Sequence, residues 1–98
     1  MTLILCYNQA CNTLAKNLSE NCKFFSDMTF IAYDENHYKE KKQAYRVKGG
    51  YSARSTPFAL LLNSDKSYIK AFYSESNDCT LDSILEFLKN YYDNSNSK

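Results

Sequence analysis

Residues 2–18, TLILCYNQACNTLAKNL, decide the fold, because an uninterrupted apolar run changes there into a helical pattern. The run LILC is typical of a strand covered on both faces, so we predict a first strand over residues 2–7. From Cys11, apolar residues recur at the i, i+3, i+4 spacing of one helical face, which predicts a helix to about residue 23. The stretch is therefore expected to form a strand, a tight loop and a helix, with a thiol at the helix start.

Cys11 is the candidate functional residue of this stretch. At the first turn of a helix, unpaired backbone N–H groups and the positive end of the helix dipole stabilise a thiolate, the reactive form of cysteine. The alternative is that Cys11 is a small residue buried beneath the helix end, since free cysteine is among the most buried residue types.

Length and composition indicate a single globular domain. The chain has 98 residues, 44% of them hydrophobic and 15% aromatic, which suits one core and not two. We place the domain at residues 1–93 and a polar tail at residues 94–98. Twelve basic and eleven acidic side chains leave a net charge of +1, so no global field attracts nucleic acid or an anionic membrane. The basic, tyrosine-containing run 39–54 is interpreted as a solvated surface and not as a base-binding one.

The cysteine pattern and the apolar runs predict a soluble, cytoplasmic monomer that does not bind membranes. Four cysteines at uneven spacing do not form a secreted disulfide scaffold, and no signal peptide precedes them. No apolar run approaches the ~20 residues of a membrane span. A zinc site is not expected, because Cys6 and Cys11 have no second close pair and the single histidine, His37, lies in a polar segment.

Three further strands are expected after the first helix. Residues 28–33 are short and rich in β-formers, and residues 58–62 (FALLL) are typical of a buried strand. Residues 67–73 alternate as a strand with one wetter face, and the polar residues 63–66 predict a hairpin turn before it. The last two strands are therefore expected to be antiparallel.

Two further helices complete the prediction. One is expected over residues 37–47, begun by residues 34–36 and ended by Gly49 and Gly50. The other begins at residue 81, after Thr80 as N-cap. The order is βαβαββα, an α/β fold in which three helices pack on a four-stranded mixed sheet.

This order, with a cysteine at the first helix start and Pro57 directly before the third strand, resembles the thioredoxin-like superfamily in its minimal, glutaredoxin-sized form. Cys11 matches the superfamily's nucleophilic cysteine, and Thr56 and Pro57 match its cis-proline segment. The resemblance implies a thiol–disulfide redox protein that works through a mixed disulfide. It also implies no bound cofactor, glutathione as a candidate co-substrate, and protein or small-molecule thiols and disulfides as partners.

The loop before Cys11 adds a local resemblance. Its sequence YNQAC is similar to the N-P-A-C loop of arsenate reductases of this superfamily, with Gln9 in place of proline, so oxyanion reduction is a third hypothesis. Arg54 is the nearest basic residue ahead of Pro57. The candidate substrate-binding residues are Asn8, Gln9, Ala10, Asn12, Arg54, Thr56 and Pro57.

Two departures from the family pattern favour an alternative. Leu14 stands where a C-x-x-C motif has its second cysteine, and residues 74–77 lack the Gly-Gly pair that glutaredoxins carry there. The alternative function is a thioredoxin-fold interaction module without redox chemistry.

The thiol that could pair with Cys11 is constrained by distance. Cys22 is about 16 Å along the predicted helix, beyond the roughly 7 Å that a disulfide allows between Cα atoms. The distance to Cys6 depends on the intervening loop. Cys79 follows the fourth strand, which ends at the same sheet edge as Cys11, so a disulfide or a resolving role for Cys79 is topologically allowed.

Overall fold

A four-stranded mixed sheet with helices packed on it forms the centre of the protein. The computed structural model describes residues 1–34, 45–46, 52–53 and 56–96. The strands are β1 (Thr2–Tyr7), β2 (Thr29–Asp34), β3 (Tyr45–Arg46), β4 (Ser52–Ala53), β5 (Phe58–Leu62) and β6 (Tyr68–Tyr73), and the α-helices are α1 (Asn12–Cys22) and α2 (Leu81–Asn96).

The main sheet has the strand order β2-β1-β5-β6, with β1 inside it. β1 is parallel to β2 and antiparallel to β5, and β5 is antiparallel to β6. Because a parallel pair needs a crossover connection, α1 fills the segment between β1 and β2. The α/β class and the mixed four-stranded sheet are as predicted.

Both faces of the sheet are closed to solvent along β1. Leu3 and Leu5 lie in a first cluster on the face that carries both helices, whereas Ile4 and Cys6 lie in a second cluster on the opposite face. The buried members of the first cluster are Leu3, Leu5, Ala15, Leu18, Cys22, Ala59, Leu61, Phe72, Cys79, Ile84 and Leu88; those of the second are Ile4, Cys6, Phe58, Leu60, Leu62 and Ala71. The continuous apolar runs of β1 and β5 therefore have the two-sided burial that the sequence predicts.

The two helices begin where the sequence indicates. α1 buries Ala15, Leu18 and Cys22 at helical spacing on the first face. At the start of α2, the Thr80 hydroxyl oxygen accepts a hydrogen bond from the Ser83 backbone N–H at 3.2 Å, as expected of an N-cap. α2 continues to Asn96, so part of the predicted polar tail is helical.

The prediction of three helices is wrong. The described residues contain two α-helices, and Tyr45–Arg46, inside the predicted helix 37–47, forms strand β3 instead. β3 pairs antiparallel with β4, which is not among the four predicted strands. The helix-compatible composition around Tyr45–Arg46 is a weak preference, which the strand pairing overrides. The rest of the predicted second helix lies outside the described residues.

The hairpin between β5 and β6 was predicted correctly. The Lys66 backbone N–H donates to the Asn63 carbonyl oxygen at 2.9 Å, which closes the turn. The Asp65 carboxylate accepts hydrogen bonds from the backbone N–H and the hydroxyl of Ser67, and these bonds lower the pKa of Asp65. In the described part of the chain, no helix combines the length and the apolar character needed to cross a membrane.

Replacing Leu88 by alanine should lower the free energy of unfolding by about 2–5 kcal/mol, because its fully buried side chain leaves a cavity between α2 and the sheet. Equilibrium urea unfolding measures the change. Lys89→Ala, at the exposed neighbouring position, is the control and should stay within about 0.5 kcal/mol of the unmodified chain. Equal losses in the two variants would contradict this packing of α2.

Candidate functional site

Cys11 lies where a 3-10 turn, Gln9–Cys11, meets the first residue of α1. It is the N-cap residue of α1, but its side chain makes no capping hydrogen bond, so the sulfur is not engaged by the helix start. Cys11 is half-buried, whereas Cys6, Cys22 and Cys79 each expose 4% or less of their surface. Of the four cysteines, all within the described residues, Cys11 is the one that a dissolved molecule can reach.

The Asn8 side chain holds the loop that carries Cys11. Its amide oxygen accepts a hydrogen bond from the Cys11 backbone N–H at 3.1 Å, and the Asn8 carbonyl oxygen accepts from the same N–H at 2.9 Å. Its amide nitrogen donates to the Thr56 hydroxyl oxygen at 2.7 Å. We call this pair of side-chain contacts the Asn8 bridge. It connects the Cys11 loop to the residue before Pro57.

Thr56 and Pro57 approach Cys11 because β1 and β5 are neighbours. Cys6, near the end of β1, pairs with Phe58, the first residue of β5, so the loop after one strand and the segment before the other leave the sheet at the same edge. Thr56 and Pro57 are both half-buried, and the peptide bond between them is cis.

The remaining predicted site residues either are close to Cys11 in the chain or lie outside the described residues. Gln9 and Ala10 are exposed in the 3-10 turn, and Asn12 is exposed as the first residue of α1. The structure therefore brings six of the predicted substrate-binding residues to one edge of the sheet: Asn8, Gln9, Ala10, Asn12, Thr56 and Pro57. Arg54 lies outside the described residues.

Cys79 is buried in the first cluster, just before α2. Burial raises the pKa of Cys79 to about 12, and repulsion from Cys11, Asp78 and Cys6 adds to the shift. Burial alone raises the pKa of Cys22 to about 11. No disulfide joins any of the four cysteines, all of which the structure describes.

Sequence reasoning assigned Asn8 to substrate binding and missed its contact with Thr56. The available signal was local: an asparagine just before a helical turn often accepts a hydrogen bond from a backbone N–H two or three residues later. The structure adds the long-range half of the bridge, which spans 48 residues of sequence.

A groove beside α2 was also missed. Its volume is about 250 Å³, and the Lys70 ammonium nitrogen lies 5.9 Å from the ring centroids of both Phe72 and Phe87 in its wall. The lining residues are Lys70, Phe72, Asp78, Ser83, Glu86, Phe87 and Asn90. Asn8, Cys11 and Thr56 are not among them, so the groove shares no residue with the Asn8 bridge.

Comparison with known proteins gives no match, so a proposed function depends on the sequence and on the geometry of the site. No protein-family model matches the chain, and no match is found among curated proteins or among solved structures. In the described residues, no group of three or more His, Cys, Asp or Glu side chains is placed to hold a metal ion.

The Asn8 bridge should appear as an energetic coupling between Asn8 and Thr56. In a double-mutant cycle of Asn8→Ala and Thr56→Val, we expect a coupling of about 0.5–1.5 kcal/mol in the free energy of unfolding, the usual contribution of one hydrogen bond. Asn12→Ala combined with Thr56→Val is the matched control, because Asn12 is an exposed asparagine near the same loop. Additive effects in the Asn8 cycle would contradict the bridge.

Thiol labelling at neutral pH should modify Cys11 and spare Cys22 and Cys79 in the native protein. Their raised pKa values mean that both thiols keep their protons until the pH approaches about 11 and 12, and the thiolate is the form of cysteine that attacks iodoacetamide. The unfolded chain loses the same protons near pH ~8.5, so alkaline pH should also favour unfolding. Peptide mass spectrometry against time measures the order. Native labelling of Cys79 at the rate of Cys11 would contradict its burial.

Proposed function

We propose that this protein is a thiol–disulfide redox protein in which Cys11 is the attacking thiolate, as its resemblance to small thioredoxin-like proteins implies. The observation that supports the proposal best is the Asn8 bridge. It connects the loop that carries the most accessible thiol of the chain to Thr56, at the edge where β1 ends and β5 begins. A nucleophile needs this combination of access and fixed position.

The proposed reaction begins when the Cys11 thiolate attacks one sulfur of a disulfide R–S–S–R′. The Cys11–S–S–R bond forms, the original sulfur–sulfur bond breaks, and R′–S⁻ leaves and takes a proton. A second thiol then attacks the Cys11 sulfur, releases R–SH, and forms a new disulfide with Cys11. Cys11 and the second thiol supply the two electrons that reduce the substrate disulfide and are themselves oxidised to a disulfide, which an external thiol such as glutathione then reduces to restore the Cys11 thiol.

Substrate would lie between the 3-10 turn and the segment before β5. Gln9, Ala10 and Asn12 are exposed beside Cys11 in the chain, and half-buried Thr56 lies at the other end of the Asn8 bridge. An extended thiol-bearing peptide or glutathione is the substrate that we propose for this site. Protein and small-molecule disulfides are therefore the proposed partners, and a reducing cytoplasm is the proposed setting.

One observation favours the alternative of an interaction module without redox chemistry. Leu14, three residues after Cys11, is half-buried and packs against the first cluster, so this turn of α1 supplies an apolar contact in place of a second thiol. The two functions differ in whether the Cys11 sulfur exchanges with disulfides, and the same assay separates them.

Cys11→Ser should reduce the rate of disulfide reduction to the uncatalysed background, because a hydroxyl cannot form the mixed disulfide. Reduction of a peptide–glutathione disulfide, with glutathione in excess, measures the rate. Cys22→Ala is the matched control: it removes a buried thiol from the far end of α1 and should keep the full rate. If the unmodified chain shows no more reduction than Cys11→Ser, the redox proposal fails and the interaction module is favoured.

A further inference from the structure

The ends of β1 and β6 lie at the same edge of the sheet. β5 runs opposite to β1, and β6 runs opposite to β5, so β1 and β6 point the same way. The register aligns Cys6 with Phe58 and Phe58 with Tyr73, which forms one row across three strands. At the usual strand spacing, the row spans about 10 Å. The segment after Tyr73 therefore begins close to the loop that carries Cys11.

The chain after β6 then folds back over the first face. A 3-10 turn, Ser74–Ser76, is followed by Asn77 at φ 58°, a left-handed conformation that asparagine tolerates. The Asp78 backbone N–H donates to the Tyr73 carbonyl oxygen at 3.0 Å, which returns the chain to the end of β6. Cys79 thereby enters the first cluster, together with Ala15 of α1, one helical turn after Cys11.

The other two cysteines are placed unsuitably for a pairing with Cys11. Cys6 belongs to the second cluster, so the sheet separates its side chain from the helix-covered face. Cys22 is at the opposite end of α1, about 16 Å from Cys11 along the helix axis, beyond disulfide range. Cys79 is the cysteine that shares the first face with the start of α1.

We infer that Cys79 is the resolving thiol of the Cys11 site, an inference that rests on the proposed function. The Cys79 sulfur attacks the Cys11 sulfur of the mixed disulfide Cys11–S–S–R. The Cys11–S–S–Cys79 bond forms, the bond to R breaks, and R–S⁻ leaves with the proton that Cys79 gives up. Overall, one substrate disulfide is reduced to two thiols, and the two cysteines are oxidised to one disulfide.

The burial of Cys79 suits this order of events. A buried, protonated thiol is a poor nucleophile toward dissolved disulfides, so Cys11 reacts first. Desolvation by burial is the main cause of the raised pKa of Cys79.

The test uses the full chain, reduced and then exposed to oxidised glutathione, with non-reducing peptide mapping and intact mass measured against time. In the unmodified chain we expect a transient glutathione adduct at Cys11, followed by a disulfide between Cys11 and Cys79. In Cys79→Ala the adduct should be the end product and persist at least about tenfold longer. Cys22→Ala removes an equally buried thiol and should behave as the unmodified chain.

The outcomes separate the two proposals. If Cys11 forms the adduct but the unmodified chain and Cys79→Ala lose it at the same rate, or if Cys6 is found in the disulfide, the resolving role is overturned while the Cys11 chemistry stands. If no adduct forms at Cys11, both proposals fail. The peptide map of the unmodified chain identifies the partner of Cys11 even if Cys79→Ala does not fold, which circular dichroism would show.

Discussion

The fixed register of β1 is the constraint on which the rest of the structure depends. Leu3 and Leu5 fill the first cluster while Ile4 and Cys6 fill the second, and both edges of the strand are paired. A slip of one residue would exchange the two sets of side chains and disrupt both pairings at once, so the strand has one favourable position. The point at which the chain leaves the sheet, after Tyr7, is therefore determined by apolar packing that takes no part in the proposed chemistry.

The Asn8 bridge fixes the position of the Cys11 loop relative to the point where the chain leaves the sheet. The Cys11 loop and the segment before Pro57 are adjacent only because β1 and β5 are paired, and one asparagine side chain then connects them. Hydrogen bonds of this kind contribute about 1 kcal/mol each, far less than the buried strands. The bridge can therefore orient the loop, but it could not assemble the site without the sheet.

The parts of this structure that the sequence predicted are those determined by local patterns. β1 and β5 were predicted residue for residue because continuous apolar runs have few alternatives, and the start of α2 is marked by Thr80 and a buried stripe. β3 was missed because two residues carry no periodicity, and their pairing with β4 depends on a partner elsewhere in the chain. The contact between Asn8 and Thr56 was missed for the same reason: it joins two segments that only the folded sheet brings together.

The cysteines show why burial alone does not assign a chemical role. Cys22 and Cys79 are equally buried at 4% exposure, both lie in the first cluster, and desolvation raises the pKa of each. Their exposed fractions and the direction of their pKa shifts therefore do not distinguish the two thiols. They differ in topology, because Cys22 ends the helix that Cys11 begins, whereas Cys79 is returned to the sheet edge by the direction of β6 and the turn after it. The direction of the strands, set by the packing of apolar side chains, therefore determines which buried thiol is a candidate for the proposed reaction of Cys11.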